Sequence, residues 1–201
     1  VKRNGERVGL FGGAFDPVHI GHLKVVESFL KSRLIDRVLL LPTAHPPHKN
    51  VSSSASFSHR LEMLALAFES YDRVEVSDLE NRLPEPSYTL QTITHLQQQN
   101  SETDYFLCIG EDNLAAFHKW HHYGDILQRV PLVVAGRPDV EAPQKNQEIL
   151  NRTIMIEHDE VEISSTTIRN AGKSGNLHKY VPENVIDYIQ RHNLYSDTDN
   201  S

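Results

Sequence analysis

Six short apolar runs, separated by longer helical patterns, set the tightest limit on what this chain can fold into. Val8–Phe11, Val38–Leu41, Val74–Val76, Tyr105–Ile109, Leu132–Ala135 and Thr153–Ile156 are each too short for a helix, and most lie close to Gly or Pro. Between them, Pro17–Leu30, Ser58–Glu69, Tyr88–Gln99 and, with a break, Asn113–Gln128 carry helical periodicity. Alternation of this kind predicts an α/β fold, an open parallel sheet with helices on both faces. Ligands of such sheets bind beyond the carboxyl ends of the strands, where the strand order reverses. The residues after the first and fourth runs are therefore the places to look.

The rest of the chain is read the same way. Val161–Ile163 is extended, Ser164–Thr166 offers helix caps and Gly172 a stop. Val181-Pro182-Glu183 opens a last helix with Pro at its first position, striped by Val185, Ile186 and Ile189, and Asp197–Ser201 frays. Pro42–Phe57 is long, polar and rich in Pro, Ser and His, the profile of a functional loop or lid, with a disordered surface loop as the alternative. With 201 residues, one domain spanning 1–201 is expected, its core about 8–195 and its C-terminal helical part 164–195.

Composition excludes some functions. A hydrophobic share of 38% and a charged share of 23% are those of a soluble globular protein. The single cysteine, Cys108, sits in an apolar run and predicts a buried thiol in a reducing compartment. No apolar stretch has the length of a membrane span, and the polar N-terminus lacks the core of a secretory signal, so a cytoplasmic protein without a membrane partner is expected. A net charge of -7 argues against broad nucleic-acid binding, so positive charge for an anionic ligand must be local. Oligomeric state stays open.

Local donors are found directly after the first run, in Gly12-Gly13-Ala14-Phe15-Asp16-Pro17-Val18-His19-Ile20-Gly21-His22. Asp16 is a good N-cap and Pro17 a good first helical residue, so a helix is expected to begin here. Gly12 and Gly13 let backbone approach a phosphate, and the helix start makes an anion site. His19 and His22, three apart, share a face and can both donate to phosphate oxygens, while Gly21 leaves room for a base or ribose. Two such histidines could also ligate a metal, but no Cys cluster or carboxylate partner accompanies them, and no metal ligand set is predicted. His118-Lys119-Trp120-His121-His122 invites the same thought, yet adjacent histidines on a helix point in different directions.

This segment resembles the GxFDPxHxGH signature of the nucleotidyltransferase superfamily, whose HxGH element is shared with class I aminoacyl-tRNA synthetases. Ile163-Ser164-Ser165-Thr166-Thr167-Ile168-Arg169 resembles that family's second motif, ISSTxIR. Hydroxyls at a helix start make a further anion site, and Arg169 supplies a permanent forked donor. Three more segments are similar to bacterial nicotinate-mononucleotide adenylyltransferases: Pro42-Thr43-Ala44-His45-Pro46-Pro47-His48-Lys49, Ser87-Tyr88-Thr89, and Gly110-Glu111-Asp112 followed by Phe117 and Trp120. The closing helix, from Val181-Pro182 to Leu194-Tyr195, is similar as well, so the resemblance runs from about Val8 to Tyr195.

The resemblance implies a Rossmann-like adenylyltransferase that joins AMP from ATP to nicotinate mononucleotide with loss of pyrophosphate, with Mg2+ accompanying ATP. It implies His19, His22 and Arg169 as catalytic residues. ATP would be bound by Gly12, Gly13, Ala14, Phe15, Gly21, Gly110, Asp112, Ser164, Ser165 and Thr166 together with those three. The mononucleotide would be bound by His45, Lys49, Ser87, Tyr88, Thr89 and Trp120. Trp120 offers a flat surface for a pyridine ring, the helix start at Ser87–Thr89 offers donors to a carboxylate, and Asp112 is placed for ribose hydroxyls. Core packing is the other reading of Trp120. Departures from the family pattern are Ala14, where Thr or Ser is usual, Gln91, where Asp is usual, and Glu111. Rival readings are a sibling enzyme for nicotinamide mononucleotide or another small phosphate, a silent nucleotide-binding regulator, and, more distantly, a His-based metal binder. A tRNA-charging enzyme is disfavoured by the lack of a KMSKS-like loop, an anticodon domain and a basic face.

Overall fold

The computed structural model describes residues 5–45, 55–136, 144, 146–159, 161–171 and 177–195. All six apolar runs are strands, each within two residues of its expected ends: β1 (Arg7–Gly13), β2 (Arg37–Pro42), β3 (Val74–Val76), β4 (Asp104–Gly110), β5 (Leu132–Gly136) and β6 (Thr153–Glu157). They form one parallel sheet in the order β3-β2-β1-β4-β5-β6. The order reverses between β1 and β4, so Gly12-Gly13 and Gly110 end side by side at the carboxyl edge.

Strand alternation sorts the core into two layers, because successive side chains point to opposite faces. Phe11, Val38, Leu40, Cys108, Val133 and Ala135 meet α1 (Ile20–Lys31), α2 (Phe57–Ala67) and the last helix on one face. Val8, Leu10, Leu39, Leu41, Leu107, Ile109, Leu132 and Val134 meet the helices between β3 and β5 on the other. Those are α3 (Leu79–Arg82), α4 (Thr89–Gln99), α5 (Glu111–Ala116) and α6 (Tyr123–Arg129). The break expected within Asn113–Gln128 is a 3-10 turn at Phe117–Lys119 followed by His122 in the left-handed region, φ 55°. A four-residue helix α7 (Gln147–Leu150) precedes β6; it and α3 are too short to show a helical period.

Two helix starts differ from expectation. Helix α1 begins at Ile20 with His19 as its N-cap, not at Pro17 with Asp16 as cap. The Asp16 carboxylate is drawn away by distant partners, accepting from the Tyr195 hydroxyl at 2.7 Å and the Ala55 N–H at 3.1 Å. Pro182 likewise caps α9 (Glu183–Arg191) from outside rather than filling its first position. The stripe of α9 is as read, with Val185, Ile186 and Ile189 buried against the first layer. After the extended Val161–Ile163, α8 (Ser165–Ala171) follows Ser164, whose hydroxyl oxygen accepts from the Thr167 N–H at 3.1 Å. Gly172, Asp197–Ser201 and most of the Pro42–Phe57 segment lie outside the described residues.

Close packing at the sheet centre has one direct test. A Cβ on Gly9 would sit 2.7 Å from Cys108 Sγ and 3.0 Å from Ile35 Cγ2, inside the contact distance of both. Both neighbours are buried and have little room to retreat. Gly9→Ala is therefore expected to destabilise the protein by about 1–3 kcal/mol through overpacking, read as a lower urea midpoint at unchanged slope.

Candidate active site

The turn leaving β1 builds one half of the site. Phe15 takes a positive φ of 48° and turns its ring back over Gly13, where a Cβ would meet it at 3.3 Å. The same ring packs edge-on against His22, centroids 4.9 Å apart. His19, extended at the N-cap, donates its backbone N–H to Nδ1 of His22 at 3.1 Å, and the two imidazoles stack at 3.7 Å. With Nδ1 of His22 acting as acceptor, the proton of the neutral ring sits on Nε2. Burial lowers the His19 pKa to about 4. Burial and then the neighbouring His19 hold His22 well below its ordinary value. Both rings are neutral at pH 7, hydrogen-bond donors that bring no charge of their own.

Three side chains from two helices clamp this turn through its carbonyls. Arg60 of α2, only 6% exposed, donates to the Ala14 carbonyl at 2.7 Å and the Thr43 carbonyl at 2.9 Å. Arg169 of α8 donates to the Asp16 carbonyl at 2.6 Å and to the Thr166 hydroxyl at 3.2 Å. Ser165 donates its hydroxyl to the Pro17 carbonyl at 2.9 Å. The second motif thus grips the first by direct hydrogen bonds. The Ser165 hydroxyl proton is engaged with protein, and Arg169 retains further N–H groups.

Two cavities open along the carboxyl edge. The first, about 400 Å³, is lined by Gly12, Gly13, Phe15, His19, Gly21, His22, Gly110, Asp112, Ser164 and Ser165. Where a side chain on Gly21 would lie, the His19 ring and Ile163 Cγ2 stand 3.0 and 3.1 Å away, so this glycine also admits protein neighbours. The second cavity, about 600 Å³, is lined by Gly12, Gly13, Ala14, Ser87, Thr89, Asp112 and Trp120. The two share Gly12, Gly13, Asp112 and Asn113. Trp120, half-buried with its ring 5.1 Å from Phe117, also walls a third space of about 570 Å³ beside Tyr88, Lys119 and His121. It is neither wholly core nor wholly free.

Some expected residues stand apart from these spaces. Thr166 and Arg169 line none of the three; Arg169 holds the turn behind them, and the Thr166 hydroxyl accepts from Arg169. His45 faces Glu85, Nε2 to Oε1 at 3.1 Å, and Lys49 lies outside the described residues. The histidine run does not converge: His121 stacks on Tyr88 at 4.1 Å, while His122 pairs with Asp125 at 3.1 Å. Among the described residues, no group of three or more His, Cys, Asp or Glu is placed to hold a metal ion. Of the departures, Ala14 presents its carbonyl to Arg60, Gln91 has a buried Oε1 without a partner, and Glu111 lies over Gly136, where no side chain competes.

Sequence reading missed several lining residues. Asn113, Gly136 and His158 border the first cavity, and His158 shares a hydrogen bond with Ser28 at 3.0 Å. Glu80 and Thr92 border the second. Glu80 comes from α3, which shows no period, and a lone Glu beside Asp78 and Arg82 reads as surface charge. It is instead 8% exposed, with its pKa raised to about 7 by burial against the opposing pull of Thr92, the Ala44 N–H and Arg60.

With the geometry in place, likeness to known proteins adds its weight. The Cytidylyltransferase-like family profile matches residues 10–171. A probable nicotinate-nucleotide adenylyltransferase of Flavobacterium johnsoniae is 35% identical, covering 94% of this chain and 98% of its own. One of Salinibacter ruber is 37% identical over 96% of this chain and 99% of its own. In structure, the nicotinic acid mononucleotide adenylyltransferase of Plasmodium falciparum, complexed with NaAD, matches at a TM-score of 0.77 with 19% identity, covering 94% of this chain and 97% of that one.

The buried carboxyl predicts a pH signature of stability. Glu80 keeps its proton to about pH 7 when folded, against an ordinary value of 4.5. Its contribution is complete below the ordinary value and is lost as pH rises from there through about 7. Glu80→Gln removes that loss. The variant's unfolding free energy is expected to climb relative to the parent's between pH 4.5 and 7.5, the difference approaching about 3 kcal/mol and then levelling, as read from urea midpoints at each pH.

Proposed function

Because this chain belongs to the cytidylyltransferase-like family, and to the same family as the nicotinate-nucleotide adenylyltransferases matched along its length, we propose that it joins AMP from ATP to nicotinate mononucleotide. The products are nicotinate adenine dinucleotide and pyrophosphate, a step of NAD biosynthesis. One observation carries the reading: two cavities sized for two nucleotides meet at Gly12-Gly13 and Asp112-Asn113, where the joined phosphates would lie. ATP occupies the cavity of His19 and His22, and the mononucleotide the cavity of Ser87, Thr89 and Trp120.

A phosphate oxygen of the mononucleotide attacks the α-phosphorus of ATP. A new P–O bond forms as the bond to the β-phosphate oxygen breaks, and pyrophosphate carries away the electron pair. The nucleophile is already ionised near neutral pH, so no side chain need take a proton, and catalysis is positioning plus stabilisation of phosphate charge. Nε2–H of His22, the His19 ring and the N–H groups of the glycine turn supply donors. Arg169 braces the turn from behind the cavity and lends the triphosphate the field of its permanent charge. Ser164, Thr166 and the Ser165 oxygen complete that side. His45 and Lys49 serve the mononucleotide phosphate, and Tyr88 the pyridine end.

Magnesium belongs with ATP, neutralising its phosphates. Among the described residues Asp112 is the carboxylate that lines both cavities. Residues 1–201 act as a single domain, supported by two core layers sharing one sheet. No described helix is long and apolar enough to cross a membrane. A cytoplasmic location is part of the same proposal, supported by its substrates, ATP and nicotinate mononucleotide.

Pyrophosphate release from ATP and Mg2+, compared with nicotinate and nicotinamide mononucleotides, tests the reaction. Strong preference for the acid is expected; no turnover with either would remove the reading. In the same assay His22→Ala should lower kcat on the order of 100-fold, as loss of a preorganised donor does. Trp120→Ala should instead raise KM for the mononucleotide at nearly constant kcat, and an unchanged KM would end the stacking role.

A further inference from the structure

The wall of the mononucleotide cavity holds a buried carboxyl that the transfer of AMP does not use. Glu80 is 8% exposed and lines the 600 Å³ space with Thr89, Thr92 and Trp120. Its Oε1 accepts from the Thr92 hydroxyl at 3.3 Å, and its Oε2 has no hydrogen-bond partner. A purely structural buried carboxyl would have both oxygens satisfied, because an orphaned one forfeits its hydration for nothing.

The surrounding charges leave that side chain free to change state. Arg60 on α2 faces it, but its hydrogen bonds go to the carbonyls of Ala14, Thr43 and Ala55. From the segment after β2 comes the Ala44 N–H, while His45 turns to Glu85. Helix α4 contributes the uncharged Thr92 and its own start at Thr89, and β1 only Leu10 and glycine backbone. Asp112 on α5 is the other carboxylate lining the cavity. On α3 itself, Arg82 pairs with Asp78 at 2.9 Å. Glu80 therefore has no committed ion-pair partner.

Resting on the activity proposed above, we infer that Glu80 reads the substituent of the pyridine ring. Carrying a proton, it donates to the carboxylate of the acid mononucleotide; stripped of it, it repels that carboxylate and accepts from the NH2 of the amide form. The first N–H groups of α4 would take the remaining substituent oxygen. Acid recognition is then coupled to proton uptake on this one side chain, and the burial that holds the proton to about pH 7 sets where the coupling shows.

The test is the ratio of kcat/KM for the acid to that for the amide mononucleotide, followed from pH 6 to 8.5. The phosphate is common to both substrates, so its ionisation cancels. The parent's ratio is expected to fall on the order of 30-fold across that range. Glu80→Gln, which keeps an acceptor for Thr92 and a permanent donor, should give a ratio independent of pH. Titration calorimetry with the acid mononucleotide at pH 7.5, in two buffers of different ionisation enthalpy, should show proton uptake that the variant lacks. A flat parental ratio, or a variant as pH-sensitive as the parent, overturns the inference while the proposed activity stands. Absence of turnover with both mononucleotides overturns that activity and this inference with it. The parental ratio alone decides if the variant does not fold.

Discussion

Three main-chain carbonyls at the end of β1 hold the working edge of this protein together. Those of Ala14, Asp16 and Pro17 accept from Arg60, Arg169 and Ser165, groups that come from α2 and α8. The Asp16 carboxylate, beside them, accepts from Tyr195 at the far end of the chain. A glycine-rich turn has high conformational freedom when unfolded, and its ordering is costly. Hydrogen bonds from charged donors are among the stronger ones available in a protein. They give the turn one geometry, and that geometry places His19 and His22 at the mouth of α1.

The histidine pair shows how an acidic chain can still serve an anionic ligand. Stacked and desolvated, the two rings remain neutral, so each can donate without a cation having to be buried. Permanent positive charge is held just behind, on Arg60 and Arg169, where carbonyl oxygens satisfy it. A triphosphate would thus meet neutral donors first, with the field of two arginines at its back. Local placement substitutes for net charge, whose sign over the whole molecule is opposite.

Glu80 carries a cost the fold has no structural reason to bear. Burial disfavours its charge, and the Thr92 hydroxyl satisfies only one of its oxygens. Strained or unsatisfied groups persist where surrounding structure over-determines them, and they concentrate at sites of function. The wall of a nucleotide-sized cavity that Trp120 also lines is such a place.

Much of this was legible from residue order alone. All six strands, the break after Phe117 and the stripe of α9 follow from local periodicity, which short-range sterics and burial enforce. The glycines and histidines of the β1–α1 turn, Ser87, Thr89, Asp112 and Trp120 lie in short motifs that resemble a family's, and the fold brings them to the walls of the two cavities. The start of α1 was not legible: Asp16 has the chemistry of a cap, but Tyr195 and Ala55 compete for it across the fold. Nor was Glu80, whose burial depends on α4 and β2 closing around a single turn of helix. Residue order by itself determined the strands, the two-faced sheet and the motifs, because each depends on neighbours within a few residues. Only the tertiary structure decided which hydroxyls and guanidinium groups are spent on the turn and which carboxyl is buried, because hydrogen-bond competition and desolvation are set by groups distant in the chain.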